Sequence, residues 1–100
     1  MSFSVRLSTK AYLDAKEIVE WYNNEKTGLG ADFYTHLTKK INSIKKHPFF
    51  YPEIFNDVRQ TSLDKYPYHI HFIVNELENE ITIYGITHTR RNPEIWKSKI

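Results

Sequence analysis

The fold of this chain is decided by residues 68–86, which read YHIHFIVNELENEITIYGI. In the first half of the stretch, Tyr68, Ile70, Phe72 and Val74 occupy every second position, and the same alternation resumes at Ile81. A period of two is typical of a β-strand with one buried face. The residues between the two runs, 76–80, are mostly acidic and predict a turn. The stretch therefore predicts two neighbouring strands joined in a hairpin.

A first helix is predicted upstream of this hairpin. Apolar residues recur at helical spacing at positions 11, 15, 18 and 22, and aromatic residues at 12 and 21 widen the stripe. Charged residues, Asp14 among them, take the solvent side. With Ser8 or Thr9 as the N-cap, the helix is expected to run from about residue 10 to residue 25.

A second helix is predicted after a break at Gly28 and Gly30. Apolar positions 33, 37, 41 and 44 repeat at intervals of four, four and three, which is the spacing of an amphipathic helix. Pro48 restricts the residue before it, so the helix is expected to end near His47. The short glycine turn predicts an antiparallel pair of helices.

The remaining segments complete an α+β fold. Residues 3–7 alternate as a first strand, and a further strand is predicted from Asp57 to Ser62, after an aromatic connector at 49–52. The predicted order is strand, helix, helix, strand, strand, strand. A helical hairpin packed on one face of a small, twisted, mainly antiparallel sheet accommodates this order. One hundred residues predict a single domain spanning 1–100.

The composition predicts a cytoplasmic protein without membrane contact. The chain has no cysteine, so it offers no disulfide and no thiolate nucleophile, which suits a reducing compartment. Its apolar runs fall far short of the roughly 20 residues that a membrane span needs.

Charge is unevenly distributed along the chain, although the formal net charge is only +2. Lys39, Lys40, Lys45, Lys46 and His47 form a basic group without an acidic residue among them. Such a group attracts phosphates or an acidic protein partner. The alternative, which we favour from sequence alone, is that these lysines form a solvated helix face.

Three groups of residues resemble the RelE/ParE superfamily of bacterial toxins. They are Val58-Arg59, Leu63-Asp64-Lys65-Tyr66-Pro67-Tyr68 and His88-Thr89-Arg90-Arg91-Asn92-Pro93-Glu94-Ile95-Trp96. The resemblance extends over nearly the whole chain and implies the same α+β fold. It also implies the toxin of a type II toxin–antitoxin, plasmid-stabilisation-like module. Such a toxin inhibits growth, and a cognate antitoxin covers it in a heteromeric assembly.

The end of the chain looks more like the ParE branch of this superfamily than the RelE branch. ParE-like toxins bind DNA gyrase and trap its cleaved-DNA state, so that no acid–base pair is required. The resemblance then implies that basic and aromatic residues contact the target. These target-binding candidates are Arg59, Lys65, Arg90, Arg91 and Trp96.

A RelE-like function is the alternative, in which the toxin cleaves mRNA on the ribosome. That chemistry needs a base, cations for the phosphorane charge and an acid. His88 is the candidate base, Arg59 and Arg90 are the candidate cations, and Tyr68 is the candidate acid. In a three-stranded meander, Arg59, Tyr68 and His88 could converge.

Structural roles compete with both functions. Arg59 can pair with Asp57 or Asp64, Tyr68 can be a core aromatic residue, and Trp96 can pack against the sheet edge. A toxin-derived binding module without toxicity is a third hypothesis.

Two histidines in the predicted hairpin raise the question of a metal. His69 and His71 lie two residues apart on one face of a strand, a spacing that a metal can use. The sequence shows no third ligand. We therefore predict no metal and no cofactor, and expect both histidines to border a groove on the sheet face opposite the helices.

Overall fold

The computed structural model describes residues 3–90. They form, in chain order, β1 (Ser4–Leu7), α1 (Thr9–Glu25), α2 (Leu29–Lys46), a 3-10 turn (Pro48–Phe50), β2 (Glu53–Phe55), β3 (Val58–Ser62), β4 (Tyr68–Asn75) and β5 (Glu80–His88). The predicted α+β class and the predicted order of elements are confirmed, with one addition. The short strand β2 was not predicted, because three largely exposed residues carry no alternation to detect.

The five strands form one sheet in the order β1-β5-β4-β3-β2. Strands β2 to β5 pair antiparallel in sequence, as the meander prediction requires, and β1 pairs parallel with β5. Tyr68 lies opposite His88 in the β4–β5 pair, and Arg59 lies opposite Phe72 in the β3–β4 pair. These two registers fix where the candidate residues lie relative to one another.

The core lies between the helical hairpin and one face of the sheet. The helices contribute Phe33, Leu37 and Ile44 from α2 and small residues such as Ala11 from α1, all of them buried. The sheet contributes buried residues of β4 and β5, which are Ile70, Phe72, Ile81, Ile83 and Ile86. Each large side chain removed from water stabilises the fold by roughly 2 kcal/mol. The strand and helix periodicities predict burial for all of these residues except Ile86, which the alternation of β5 places on the opposite face. A shift of register between His71 and Phe72 brings Ile86 opposite the buried Ile70.

The second helix begins four residues earlier than the apolar spacing indicated. Gly28, with φ of 94°, ends the turn, and α2 starts at Leu29, so Gly30 lies inside the helix and does not break it. A Cβ atom at Gly30 would lie 2.5 Å from the carbonyl oxygen of Val19 and 2.6 Å from the side chain of Asn23. Gly30 is therefore required by the close approach of the two helices.

The prediction that Asp14 faces solvent was wrong. Its carboxylate accepts a hydrogen bond of 3.1 Å from the backbone N–H of Ile86, and Lys10 Nζ lies 2.8 Å from both of its oxygens. Strand β1 ends at Leu7, so the edge of β5 beyond Ile83 has no strand partner there, and α1 lies along it. A side chain of the helix thus satisfies a backbone donor of the sheet.

Neither helix within residues 3–90 is both long and apolar enough to cross a membrane.

Candidate functional site

Tyr68 and His88 meet at the end of the β4–β5 pair. Their rings are 5.3 Å apart between centroids and nearly perpendicular, at 78°. Backbone hydrogen bonds fix this end of the sheet, because Leu63 N–H donates to Tyr68 O at 3.0 Å and Thr89 N–H donates to Pro67 O at 2.9 Å. The sequence-based expectation that these two residues lie together is met by the register.

Two open cavities flank this ring pair. The first, of about 290 Å³, is lined by Glu17, Ile18, Trp21, Tyr22, Tyr68 and His88. The second, of about 390 Å³, is more polar and is lined by Lys10, Asp14, Glu17, Ile18, Tyr68, Ile86, Thr87 and His88. The pair therefore lies in a concave surface between α1 and the end of β5, where a ligand or a partner side chain could reach both rings.

Tyr68 keeps its proton at neutral pH. Burial, followed by the neighbouring hydroxyl of Tyr22, raises the pKa of Tyr68 to about 12. A phenol with so high a pKa can donate a hydrogen bond or a proton but does not serve as a base.

His88 is poorly arranged to act as a general base. Its Nδ1 accepts a hydrogen bond of 3.1 Å from the backbone N–H of Arg90, so the neutral ring carries its proton on Nε2. Neither ring nitrogen then offers a free lone pair to a substrate hydroxyl. The arrangement suits His88 to donate a hydrogen bond from Nε2.

Arg59 does not converge on Tyr68 and His88. Its partner Phe72 is four residues from Tyr68 along β4, so the backbone positions of Arg59 and Tyr68 are separated by about 13 Å along the strand direction. Its guanidinium donates to Tyr51 O at 2.6 Å, lies 3.4 Å from Glu53 Oε1 and lies 5.0 Å from the centroid of the Phe49 ring. The side chain is 17% exposed.

These contacts tie Arg59 to the segment between α2 and β3. The carboxylate that faces it is Glu53, so the expected pairing with Asp57 or Asp64 was wrong. The reason is that β2 folds back onto β3 and brings Glu53 opposite Arg59.

Lys65 is also held by a carboxylate. Asp32 in the first turn of α2 accepts from Lys65 Nζ at 2.7 Å and from the hydroxyl of Tyr66 at 2.6 Å. The hydrogen bond from Lys65, followed by that from Tyr66, lowers the pKa of the Asp32 carboxyl. Burial and the bond to Asp32 raise the pKa of Tyr66 to about 12. The hydrogen bonds from Lys65 and Tyr66 to Asp32 connect the β3–β4 loop to α2.

The remaining predicted target-binding residues lie at or beyond the end of the described chain. Arg90 is exposed and adjoins His88. Arg91 and Trp96 lie outside the described residues.

His69 and His71 are engaged in the sheet. His69 Nδ1 lies 2.7 Å from Ser62 Oγ, and His71 Nε2 lies 2.9 Å from Thr87 Oγ1. His71 is only 1% exposed, and its burial lowers its pKa to about 4. Within residues 3–90, no group of three or more candidate ligands could hold a metal ion.

An apolar groove between α1 and α2, with Leu7 at the end of β1 in its wall, is not predicted from the sequence. It encloses about 510 Å³ and is lined mainly by Leu7, Tyr12, Ala15, Val19, Tyr34, Leu37 and Ile41. Tyr12 and Trp21 were expected to widen the buried stripe of α1, and that was wrong, since they are 58% and 55% exposed. Tyr34, which α2 places outside its own buried stripe, was the signal that could have indicated this surface.

Comparison with solved structures shows which proteins share this fold. The chain superposes on a chain of the chromosomal ParDE toxin–antitoxin system of P. aeruginosa with a TM-score of 0.77 and 18% identity, over 89% of this chain and 98% of that one. It superposes on the isolated E. coli RelE toxin with a TM-score of 0.68 and 12% identity, over 98% of this chain and 96% of that one. It superposes on a chain of the E. coli RelBE toxin–antitoxin complex with a TM-score of 0.68 and 13% identity, over 90% of this chain and 100% of that one.

No protein-family model matches the chain, and no curated protein sequence matches it significantly. The resemblance to the RelE/ParE superfamily is confirmed at the level of the fold.

Proposed function

We propose that this chain is the toxin of a type II toxin–antitoxin module, plasmid-stabilisation-like in kind, and that it inhibits growth as a ParE-like poison of DNA gyrase in the cytoplasm. The observation that carries the proposal is the likeness in fold, over almost the full length of both chains, to a chain of a ParDE toxin–antitoxin system. The ending from Arg91 to Trp96, with its ParE-like sequence, supports the gyrase target.

The state of the candidate catalytic residues supports a poison over a nuclease. Ribonuclease chemistry needs a free cation at the phosphate and a base with a free lone pair. Arg59 donates to Tyr51 O and faces Glu53, about 13 Å along the sheet from Tyr68, and His88 already accepts from Arg90 through Nδ1. A gyrase poison needs only a contact surface, to which Lys65 and Arg90 contribute.

The groove on the helical hairpin is the surface that we assign to the antitoxin. A groove of about 510 Å³ bordered by Tyr12 and Tyr34 fits the apolar face of an amphipathic helix. An antitoxin segment that folds onto it would bury side chains that are exposed in the free chain. Binding should weaken with salt without being abolished, because apolar burial persists when charges are screened.

Calorimetry against the protein encoded beside this gene tests the antitoxin assignment. We expect binding at low salt, and we expect Tyr34→Asp to weaken it at least tenfold, because a charge would enter the apolar groove. Leu77→Asp is the matched control, since Leu77 is exposed but lies in the β4–β5 turn away from the groove. Absence of binding at low salt would remove the antitoxin from the proposal.

A RelE-like ribonuclease that acts on mRNA at the ribosome is the second candidate. One observation favours it, namely the contact between the rings of Tyr68 and His88 beside two open cavities. His88 would accept the proton of the attacking 2′-hydroxyl once its Nδ1 is released from the N–H of Arg90, Tyr68 would donate a proton to the leaving oxygen, and Arg90 would neutralise charge. Induced growth arrest with cleaved transcripts would favour this candidate, and absence of any growth defect would favour a binding module without toxicity.

A further inference from the structure

Two phenylalanines project from the turn that follows α2. Pro48 is buried and starts the 3-10 turn, while Phe49 and Phe50 are 49% and 81% exposed. Exposing large aromatic rings next to each other forfeits the stabilisation that their burial would bring. The fold therefore presents at this turn an aromatic surface that its own core does not use.

These rings are held in place by their neighbours. The guanidinium of Arg59 lies 5.0 Å from the Phe49 ring centroid and donates at 2.6 Å to the carbonyl of Tyr51. The Tyr51 ring packs edge-on against Phe50, at 5.3 Å and 88°. Because the turn is fixed before any partner binds, a partner loses little affinity to ordering these side chains.

Lysines without a carboxylate partner precede the rings in the chain. Lys45 and Lys46 form the last turn of α2, and Lys39 lies on the same side of the helix as Lys46, since seven residues make about two turns. Within residues 3–90, none of these three lysines has a carboxylate at ion-pair distance, whereas Lys40 pairs with Asp64 at 3.6 Å. The nearby carboxylate of Glu53 already faces Arg59.

We propose that Lys39, Lys45, Lys46, Phe49 and Phe50 form a platform that binds single-stranded nucleic acid. A base stacks on the exposed face of Phe50, and the lysines neutralise the adjoining phosphates. A single strand supplies both partners at once, because its bases are free to stack, whereas a duplex keeps its bases enclosed. An acidic protein segment satisfies the lysines but stacks on Phe50 only where it carries an aromatic residue, whereas every base of a single strand has a planar face.

This platform is distinct from the candidate site at Tyr68 and His88. The platform adjoins the start of β1, where the ring of Phe3 packs edge-on against Phe49. The backbone N–H of Phe3 donates to Lys45 O. The start of β1 pairs with Glu80 at one end of β5, and His88 lies at the other end of the same strand. The inference does not depend on the identity of the toxin target.

Fluorescence anisotropy with labelled oligo(dT) and oligo(U) twelve-mers and the full chain tests the proposal. We expect binding at 50 mM salt that weakens steadily as salt is added. Phe50→Ala should weaken binding about tenfold through the loss of one stacked base, and Phe50→Tyr should retain it. Lys46→Met should lower the slope of log affinity against log salt by about 0.7.

Two control variants test whether the loss of any exposed apolar side chain, or of any exposed lysine, has the same effect on binding. Leu77→Ala removes an apolar side chain that is 98% exposed in the β4–β5 turn, and Lys16→Met removes an exposed lysine of α1. Both should leave affinity unchanged. The proposal is overturned by no binding at 50 mM salt, by equal affinity of Phe50→Ala and the parent, or by oligoglutamate binding as tightly as the oligonucleotides. The last result would assign the platform to an acidic protein.

Discussion

The carboxylate of Asp14 in α1 accepts a hydrogen bond of 3.1 Å from the backbone N–H of Ile86 in β5. The two residues are 72 positions apart in the chain, and their bond lies where β1 no longer covers the edge of β5. The same carboxylate lines the polar cavity beside His88. One side chain thus closes the sheet edge and forms part of the wall of the candidate site.

Asp14→Ala should destabilise the fold by about 1 to 3 kcal/mol, because it leaves the N–H of Ile86 without its acceptor. Urea denaturation measures the difference. Asp14→Asn retains an acceptor oxygen and should cost less. Lys10→Met tests the ion pair separately and should cost about 1 kcal/mol or less, since the pair is partly exposed. Equal stability of Asp14→Ala and the parent chain would contradict the role of this bond.

Gly30→Ala should destabilise the helical hairpin although alanine favours helices. A Cβ atom there would meet the backbone of Val19 at 2.5 Å, and forced repacking of that kind costs about 1 to 3 kcal/mol. Thermal denaturation should show a lower Tm. The opposite substitution, Ala31→Gly, is the control at an exposed position of the same turn and should cost about 1 kcal/mol through propensity alone. A rise in Tm for Gly30→Ala would show that α1 and α2 are not in close contact.

Stability should fall as pH falls from about 6.5 towards 4, in part because of His71. Burial, followed by the neighbouring His69 and Lys10, lowers the pKa of His71 to about 4. Between these pH values the unfolded chain binds a proton at this residue and the folded chain does not, so protonation favours unfolding. His71→Gln should flatten the pH dependence of the unfolding free energy in this window. If the pH dependence of the unfolding free energy is the same in His71→Gln and the parent chain, His71 is in contact with solvent in the folded state.

Arg59→Ala should destabilise the chain by about 1 to 3 kcal/mol, since it removes a mostly buried charged donor from Tyr51 O and Glu53. Any loss of toxicity should therefore follow the loss of folded protein. Chemical denaturation and toxicity must be measured together. A variant with parental stability and no toxicity would point instead to a role of the guanidinium in ribonuclease chemistry.

Arg90→Ala and Trp96→Ala should each weaken target binding by about 2 kcal/mol or more if the chain is a gyrase poison, because arginine and tryptophan dominate protein interfaces. Pull-down against gyrase with purified variants measures this loss. Thr89→Ala is a control at an exposed neighbouring residue. Full toxicity of a folded Trp96→Ala chain would remove Trp96 from the target surface.

The helices and the long strands could be predicted because each carries apolar residues at a regular spacing on the face that packs in the core. In β5 consecutive residues are buried, so the alternation alone does not predict the burial of Ile86. The contact of Tyr68 with His88 was within reach for the same reason, since adjacent strands of a meander bring such ends together. The position of the Arg59 side chain could not be predicted in this way, because its partners come from β2 and from the segment around the 3-10 turn. Those segments are short and mostly exposed, so burial leaves no periodic signal in them.

Two other features depend on contacts between distant segments. Glycine disfavours helices, so the sequence predicts a break at Gly30, and only the approach of Val19 shows why Gly30 is needed inside α2. The sequence predicts a solvent-exposed Asp14, because a carboxylate on an amphipathic helix is usually exposed. Its acceptor role exists only because β1 ends before β5 does.

The most direct test of the gyrase-poison account is induction of the chain in bacterial cells without an antitoxin, with RNA 5′ ends and DNA double-strand breaks measured in the same culture. We predict growth arrest, intact transcripts and DNA breaks that disappear in cells with a toxin-resistant gyrase. Co-induction of the neighbouring protein should restore growth. Abundant new RNA 5′ ends within translated codons, without DNA breaks, would contradict the account and identify the chain as a ribosome-dependent ribonuclease.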